Sequence, residues 1–134
     1  MARRHLVAHV FHHIHIKARD PRKTARWWVD VFGARLLPER DMAGALFVPV
    51  ELGGVTINIS SPRPEEADLM GEGDASLHYG LEHLGLYTDD LDKDLARLRK
   101  QRLQIFETRE SPASKMAFVE TPDKVRVELI QPLG

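Results

Sequence analysis

Two histidines and one glutamate in this 134-residue sequence have the types and settings that suit metal binding. His13 lies in the stretch HIHIKARD, and His83 lies in the similar stretch HLGLYTDD, 70 residues later. Glu128 lies between two aliphatic residues in RVELIQP. Imidazole nitrogens and carboxylate oxygens are common ligands of divalent transition metals. If the fold brings the three side chains together, they form a metal site with open positions for water and substrate.

The 70-residue spacing is part of an internal repeat. The segment GGVTINISSP at 53–62 resembles DKVRVELIQP at 123–132 at the same offset, which pairs Asn58 with Glu128. An offset that is kept over widely separated segments indicates that one structural unit occurs twice.

Each copy has the pattern of one strand, one helix and three further strands. Alternating apolar and polar residues predict the first strands at about 9–18 and 81–88. Asp20 and Asp90 are suited to cap the helices PRKTARWWVDVF and LDKDLARLRKQ. The later strands are predicted at about 35–39, 44–51 and 54–60 in the first copy, and at about 103–108, 115–121 and 124–131 in the second.

These elements predict an α+β fold made of two tandem βαβββ modules. We expect a single domain over residues 1–134, with module 1 at about 8–62 and module 2 at about 80–134. The segment between them, about 63–79, is rich in Pro, Gly, Ser and acidic residues and reads as a linker.

Side chains alternate across a strand, so each key strand has an apolar and a polar face. The polar face of the first strand carries His13, His15 and Lys17, opposite Ile14 and Ile16. The corresponding polar faces of the other key strands carry Asn58, then His83 and Tyr87, then Arg126 and Glu128. If the polar faces of the two copies converge, they line a cup in which His13, Asn58, His83 and Glu128 meet.

These motifs resemble the vicinal oxygen chelate superfamily, the glyoxalase, bleomycin-resistance and extradiol dioxygenase group. The opening HIHIKARDPRKTARWWVDVFG, the second opening EHLGLYTDDLDKDLARL and the closing FVETPDKVRVELIQP are similar to that family's patterns, with Lys124 where glycine is usual. The resemblance implies two βαβββ modules whose sheets curve around a divalent metal. It places the metal positions on His13, Asn58, His83 and Glu128. Asn58 departs from the family, which has Glu or Gln there in glyoxalase-like and epimerase-like members, so its ligation stays open.

Further residues on the polar faces are candidates for chemistry and recognition. His15 is a candidate acid or base, and Glu128 could also serve as a base. Tyr87, Arg126 and Lys17 are candidates for substrate contact.

Three functions remain open at this point. The His, His, Glu set matches the ligands of non-haem Fe(II) oxygenases and favours dioxygenase-type chemistry on a small substrate with adjacent oxygens. A glyoxalase I-like lyase or isomerase with Zn or Ni is the alternative, although Asn58 removes one carboxylate base. A metal-free drug-binding resistance protein is a further alternative, which the three retained ligands argue against. We expect one divalent ion per site, with Fe(II) favoured over Zn, Ni, Mn or Co, in a site within one chain or between two.

Composition excludes several other classes. The formal net charge is −1, and no basic run indicates a nucleic-acid partner. The chain has no cysteine, which excludes disulfides and thiolate metal sites. No apolar run approaches the length of a membrane span, so we expect no membrane partner and a cytoplasmic location. The resemblance also implies a homodimer.

Overall fold

The computed structural model describes residues 8–134, and the chain divides into two compact units. The first unit ends at Met70 and the second begins at Gly71. Each unit contains one mixed sheet and one α-helix. The predicted α+β fold of two βαβββ modules is therefore confirmed.

The first unit begins with a strand and a helix, and its remaining strands follow in short pieces. Its elements are β1 His13–Lys17, α1 Pro21–Phe32, β2 Arg35–Leu36, β3 Arg40–Met42, β4 Ala45–Phe47, β5 Val50–Leu52 and β6 Val55–Ser60. A 3₁₀ helix, Pro64–Leu69, lies within the stretch predicted as a linker. Strand β1 pairs in parallel with β6, which also pairs with β5 and β4.

The strand predicted at 44–51 is interrupted. It forms two strands, β4 and β5, which both pair with β6. The register is the same in both, since Phe47 faces Ser60 and Val50 faces Ile57. The break spans Val48 and Pro49. The backbone N–H of Val48 still donates to Ile59 of β6 at 2.7 Å, whereas the carbonyl of Pro49 accepts from Leu37 on the opposite side, where the proline nitrogen has no hydrogen to donate in return. The prediction missed this interruption.

The second unit matches the predicted pattern more closely. Its elements are β7 Leu84–Tyr87, α2 Leu91–Lys100, β8 Ile105–Glu110, β9 Ser114–Thr121 and β10 Val125–Pro132, in the sheet order β7-β10-β9-β8. Strands β1 and β6 pair at an offset of 43 residues, as His13 with Thr56, and β7 and β10 pair at the same offset, as Leu84 with Val127. The two halves of the repeat therefore have the same strand pairing.

Both helices begin as the sequence predicts. The side chain of Asp20 accepts a hydrogen bond of 3.1 Å from the backbone N–H of Lys23, and Asp90 does the same for Lys93 at 3.1 Å. Each cap satisfies a backbone donor that the first helical turn leaves free.

Each helix covers the apolar face of its own sheet. Trp28 of α1 is fully buried, as is Leu98 of α2. The apolar strand residues are buried as well: Ile16, Ile57 and Ile59 in the first unit, and Val119, Val127 and Leu129 in the second. Burying each aliphatic side chain contributes about 1.5–3 kcal/mol, so this alternation decides which face each strand turns toward its helix. Within residues 8–134, no helix has both the length and the apolar character needed to cross a membrane.

Candidate metal site

The first unit arranges its polar residues on one face of the β1–β6 pair. His13 faces Thr56, His15 faces Asn58 and Lys17 faces Ser60 in the parallel register. Residues that face one another in a sheet project to the same side, so His13, His15 and Asn58 share a face. Asn58 follows Thr56, the partner of His13, by two residues along β6.

His13 is exposed, and its ring contacts the residue that precedes it. The Nδ1 atoms of His12 and His13 are 2.7 Å apart, and the two rings meet edge to face at 5.0 Å. His12 lies before β1, which begins at His13, so the alternation of the strand does not direct its side chain.

The second unit brings a predicted ligand pair together. His83 Nε2 lies 3.7 Å from Glu128 Oε1, with side chains that are 34% and 18% exposed. Glu128 faces Gly85 across β7 and Phe118 across β9. The ring of Phe118 packs edge-on against His83 at 5.1 Å. His83 and Glu128 are thus held at short range by the packing around them.

Glu82 engages the other nitrogen of His83. Its Oε1 atom lies 2.9 Å from His83 Nδ1. A carboxylate accepts hydrogen bonds, so Nδ1 carries the hydrogen and Nε2 of the neutral ring carries a lone pair. This hydrogen bond, and then the charge of Arg126, lowers the pKa of Glu82 below its ordinary value.

The His83–Glu128 pair fits a divalent ion. A neutral His83 with hydrogen on Nδ1 turns the lone pair of Nε2 toward a carboxylate oxygen, so two acceptors face each other. Bonds from zinc to nitrogen and oxygen are about 2.0–2.2 Å each, and an ion can therefore bind both atoms across the observed 3.7 Å. Across residues 8–134, no group of three or more His, Asp or Glu side chains is arranged to hold a metal ion. The part of the chain that the structure describes thus brings two of the predicted ligands together.

Asn58 is 5% exposed and lies on the face of His13 in the first unit. Its amide offers a neutral oxygen, where Glu128 at the repeat-related position in the second unit offers a carboxylate. Its ligation stays a prediction.

His15 is bound to Ser60 rather than left open. Its Nε2 lies 2.7 Å from Ser60 Oγ, and Ser60 Oγ donates to the backbone carbonyl of Ser61 at 2.9 Å. A hydroxyl has one hydrogen to donate, so His15 Nε2 donates and its Nδ1 carries the lone pair. Burial, followed by the charge of Lys17, lowers the pKa of His15 below 6.5.

The predicted substrate contacts have different surroundings. Tyr87 is 82% exposed at the end of β7. Lys17 forms an ion pair of 2.7 Å with Glu66. Hydrogen bonds from Arg63 and Lys17 lower the pKa of Glu66 to about 2.

Arg126 lies on the face of Glu128, but its side chain is only 4% exposed. Its guanidinium stacks on Phe106 at 4.6 Å and on Phe118 at 4.7 Å, and its Nη1 donates to the carbonyl of Ala75 at 3.0 Å. These contacts favour a role within the second unit, and substrate contact by Arg126 stays a prediction.

Two residues of this site were missed from the sequence. Glu82 contacts a predicted ligand directly, and Phe118 packs against the ring of that ligand. A signal for Glu82 was available, because a carboxylate next to a ligand histidine is a common partner of its distal nitrogen. Phe118 had no such signal, because its position depends on the pairing of β9 with β10.

The family model described as the Glyoxalase/Bleomycin resistance protein/Dioxygenase superfamily matches residues 10–129. The chain belongs to this superfamily. No curated protein matches the sequence significantly.

Solved structures of this superfamily share the fold at low identity. A glyoxalase family protein from Bacillus cereus matches with a TM-score of 0.79 at 13% identity, covering 100% of this chain and 99% of its own. The trypanothione-dependent glyoxalase I from Leishmania major matches at 0.70 and 20%, covering 92% and 87%. TnmS3, an antibiotic-binding protein from Streptomyces sp. CB03234, matches at 0.66 and 22%, covering 96% and 100%. The fold therefore hosts enzymes and binding proteins alike, and the function depends on the site.

Proposed function

We propose that this superfamily member is a metal-dependent enzyme in which His13, His83 and Glu128 bind one divalent ion. The observation that carries the proposal is the His83–Glu128 pair, whose facing acceptors are 3.7 Å apart. His13 is the repeat counterpart of His83 and supplies the third ligand, from the same chain or from a second one. Small molecules with adjacent oxygen atoms are the substrates that such an ion can chelate.

We infer dioxygenase-type chemistry with Fe(II) as the working metal. Two histidines and one carboxylate with open positions are the ligand set of non-haem Fe(II) oxygenases. Isomerisation of the glyoxalase kind needs a carboxylate that takes a proton beside the metal, and Asn58 has no titrating group. When bound, Fe(II) supplies Lewis acidity and redox chemistry toward dioxygen, whereas Zn²⁺ has no redox chemistry.

The chain's own residues then orient the substrate and move protons. His15 holds its hydrogen on Nε2 against Ser60, which leaves Nδ1 able to take a proton from a bound substrate. The hydroxyl of Tyr87 is exposed and can donate to a substrate oxygen. Lys17 has its charge matched by Glu66, so it is the weaker candidate for an anionic substrate group.

The test is a reconstitution panel. Protein loaded anaerobically with Fe(II) should consume dioxygen in the presence of a suitable catechol or 2-oxo acid, and protein loaded with Zn²⁺ should not. Turnover of a thiol–aldehyde adduct without oxygen, with Zn²⁺, Ni²⁺ or Co²⁺, would identify the lyase or isomerase instead. Tight binding of a drug by metal-free protein, with no metal uptake, would identify the resistance protein.

Asn58→Ala is the matched control for the ligand set. It should weaken activity and leave metal binding in place, whereas Glu128→Ala should abolish both. Equal loss of metal from the two variants would make Asn58 a ligand and would overturn the three-residue ligand set.

A further inference from the structure

One oxygen atom of Glu82 lies near two nitrogen donors of the second unit. Glu82 Oε1 is 2.9 Å from His83 Nδ1 and 3.8 Å from Arg126 Nε. Arg126 Nε is buried and has no hydrogen-bond partner among the described residues. The carboxylate of Glu82 is placed to balance this donor, and it also contacts a predicted metal ligand.

Arg126 is a fixed anchor for that carboxylate. Its guanidinium is enclosed by Phe106, Phe118 and the carbonyl of Ala75 and cannot turn toward water without losing these contacts. A buried cation without a compensating charge is costly. Glu107 also lies within the electrostatic reach of Arg126, but Glu82 is the carboxylate beside its buried Nε. Movement of Glu82 away from Arg126 would therefore weaken the compensation of this charge, which favours the position of Glu82 beside His83.

The hydrogen bond from His83 to Glu82 decides which nitrogen of the ring is free. With hydrogen on Nδ1, the lone pair lies on Nε2, which is the nitrogen that faces Glu128 at 3.7 Å. With the hydrogen on Nε2 instead, the ring could not bind a metal on the side of Glu128. Carboxylate partners that hold a ligand histidine in this way typically change metal affinity about 10–100-fold when they are removed.

We propose that Glu82 is a positioning residue for the metal site, which holds His83 with hydrogen on Nδ1 and presents Nε2 to the metal beside Glu128. The inference rests on the proposed function, because it requires His83 to be a metal ligand. It adds Glu82 to the proposed site and specifies which nitrogen of His83 binds the metal.

The repeat supplies an independent comparison. His12 is the counterpart of Glu82 at the 70-residue offset, and its Nδ1 lies 2.7 Å from His13 Nδ1. In both units the residue before the predicted ligand therefore contacts Nδ1 and not Nε2. A neutral imidazole can donate or accept, so His12 fixes the tautomer of His13 less firmly than Glu82 fixes that of His83.

The tautomer can be measured without metal by ¹⁵N NMR of the full chain at a pH of about 8, above the ordinary histidine pKa of about 6.5. His83 should show hydrogen on Nδ1, and His15, which donates from Nε2 to Ser60, should show the opposite tautomer in the same spectrum. Glu82→Ala should release His83 to a tautomer mixture and leave His15 unchanged. Hydrogen on Nε2 of His83 in the unaltered protein would overturn the proposal.

The second measurement is Zn²⁺ affinity by calorimetry. Glu82→Ala should weaken binding about 10–100-fold. Glu82→Gln should lose less, because its amide oxygen still accepts from Nδ1. His12→Ala should also lose less than Glu82→Ala, and Glu110→Ala, which removes an exposed carboxylate from β8, should change nothing. Unchanged affinity in Glu82→Ala would overturn the positioning role even if the tautomer is as expected.

The two proposals fail in different ways. If the unaltered protein does not bind Zn²⁺ or Fe(II), the metal site itself is wrong, and the positioning role falls with it. If the protein binds metal through His83 but Glu82→Ala changes neither the tautomer nor the affinity, only the positioning role is wrong.

Discussion

Replacing Lys124 with glycine should stabilise the hairpin that leads into the strand carrying Glu128. Asp123 and Lys124 have φ angles of +64° and +58°, in the left-handed region that disfavours side chains with a Cβ atom. The corresponding turn of the first unit, 70 residues earlier, has Gly53 and Gly54 at +59° and +83°. The two turns therefore have similar backbones and differ in whether glycine relieves the strain.

The magnitude follows from two opposing terms. A left-handed conformation costs a residue with a Cβ atom roughly 1–2 kcal/mol. Glycine has more conformational freedom in the unfolded chain, which stabilises the unfolded state and offsets about 0.4–1 kcal/mol of the relieved strain. The net stabilisation by Lys124→Gly is therefore about 0.5–1 kcal/mol, which corresponds to a rise in Tm of roughly 2–4 °C for a chain of this size.

Gly54→Lys is the matched control in the opposite direction. A Cβ atom at Gly54 would meet no other described heavy atom within 4 Å, apart from its chain neighbours, so the change reports on the backbone alone. It should lower Tm by a similar amount. The assay is thermal and urea unfolding of both variants beside the unaltered protein, followed by circular dichroism. A lower Tm for Lys124→Gly, or a shift of both variants in the same direction, would refute the reasoning.

The remaining predictions concern the metal, the assembly, the proton carrier and acid stability. Purified protein should hold about one divalent ion per chain, and His13→Ala, His83→Ala and Glu128→Ala should each lower metal content; unchanged occupancy in all three would exclude the site. Sedimentation should show a dimer at micromolar concentration, and a monomer would contradict the family expectation. His15→Phe should lower turnover more than metal affinity, which kinetics and calorimetry on the same samples can separate. The pKa of Glu66 is lowered to about 2, so its ion pairs contribute stability above the ordinary value of 4.5 and lose it as the pH falls toward 2; the stability difference between Glu66→Gln and the unaltered protein should shrink over that range.

Local patterns in the sequence were sufficient for most of the fold. The caps at Asp20 and Asp90 and the bounds of α1 follow from short-range chemistry, since each depends on residues within one helical turn. The faces of β1 and β10 follow from strand alternation, because burial of the apolar residues forces the polar residues to the other side. The 70-residue repeat placed His13 and His83 at equivalent positions of the two copies. The pattern of a single strand could not have shown this relation.

The strand ends depended on pairing over long separations. At the break, the carbonyl of Pro49 accepts from the backbone N–H of Leu37, and the proline nitrogen has no hydrogen to donate in return. The sequence marked the proline, but alternation on both sides of it still predicted one strand.

The contacts of the site side chains were decided by tertiary structure alone. The pairing of β9 with β10 brings Phe118 to His83 and to Arg126, which buries the arginine that the sequence assigned to a substrate. With Arg126 buried, its charge requires a partner, and Glu82 lies where it can serve both Arg126 and His83. The sequence by itself determined which residue types lie on the polar faces, because alternation is local. Only the folded structure decided that Glu82 lies beside both His83 and Arg126, because Arg126 comes from a distant strand.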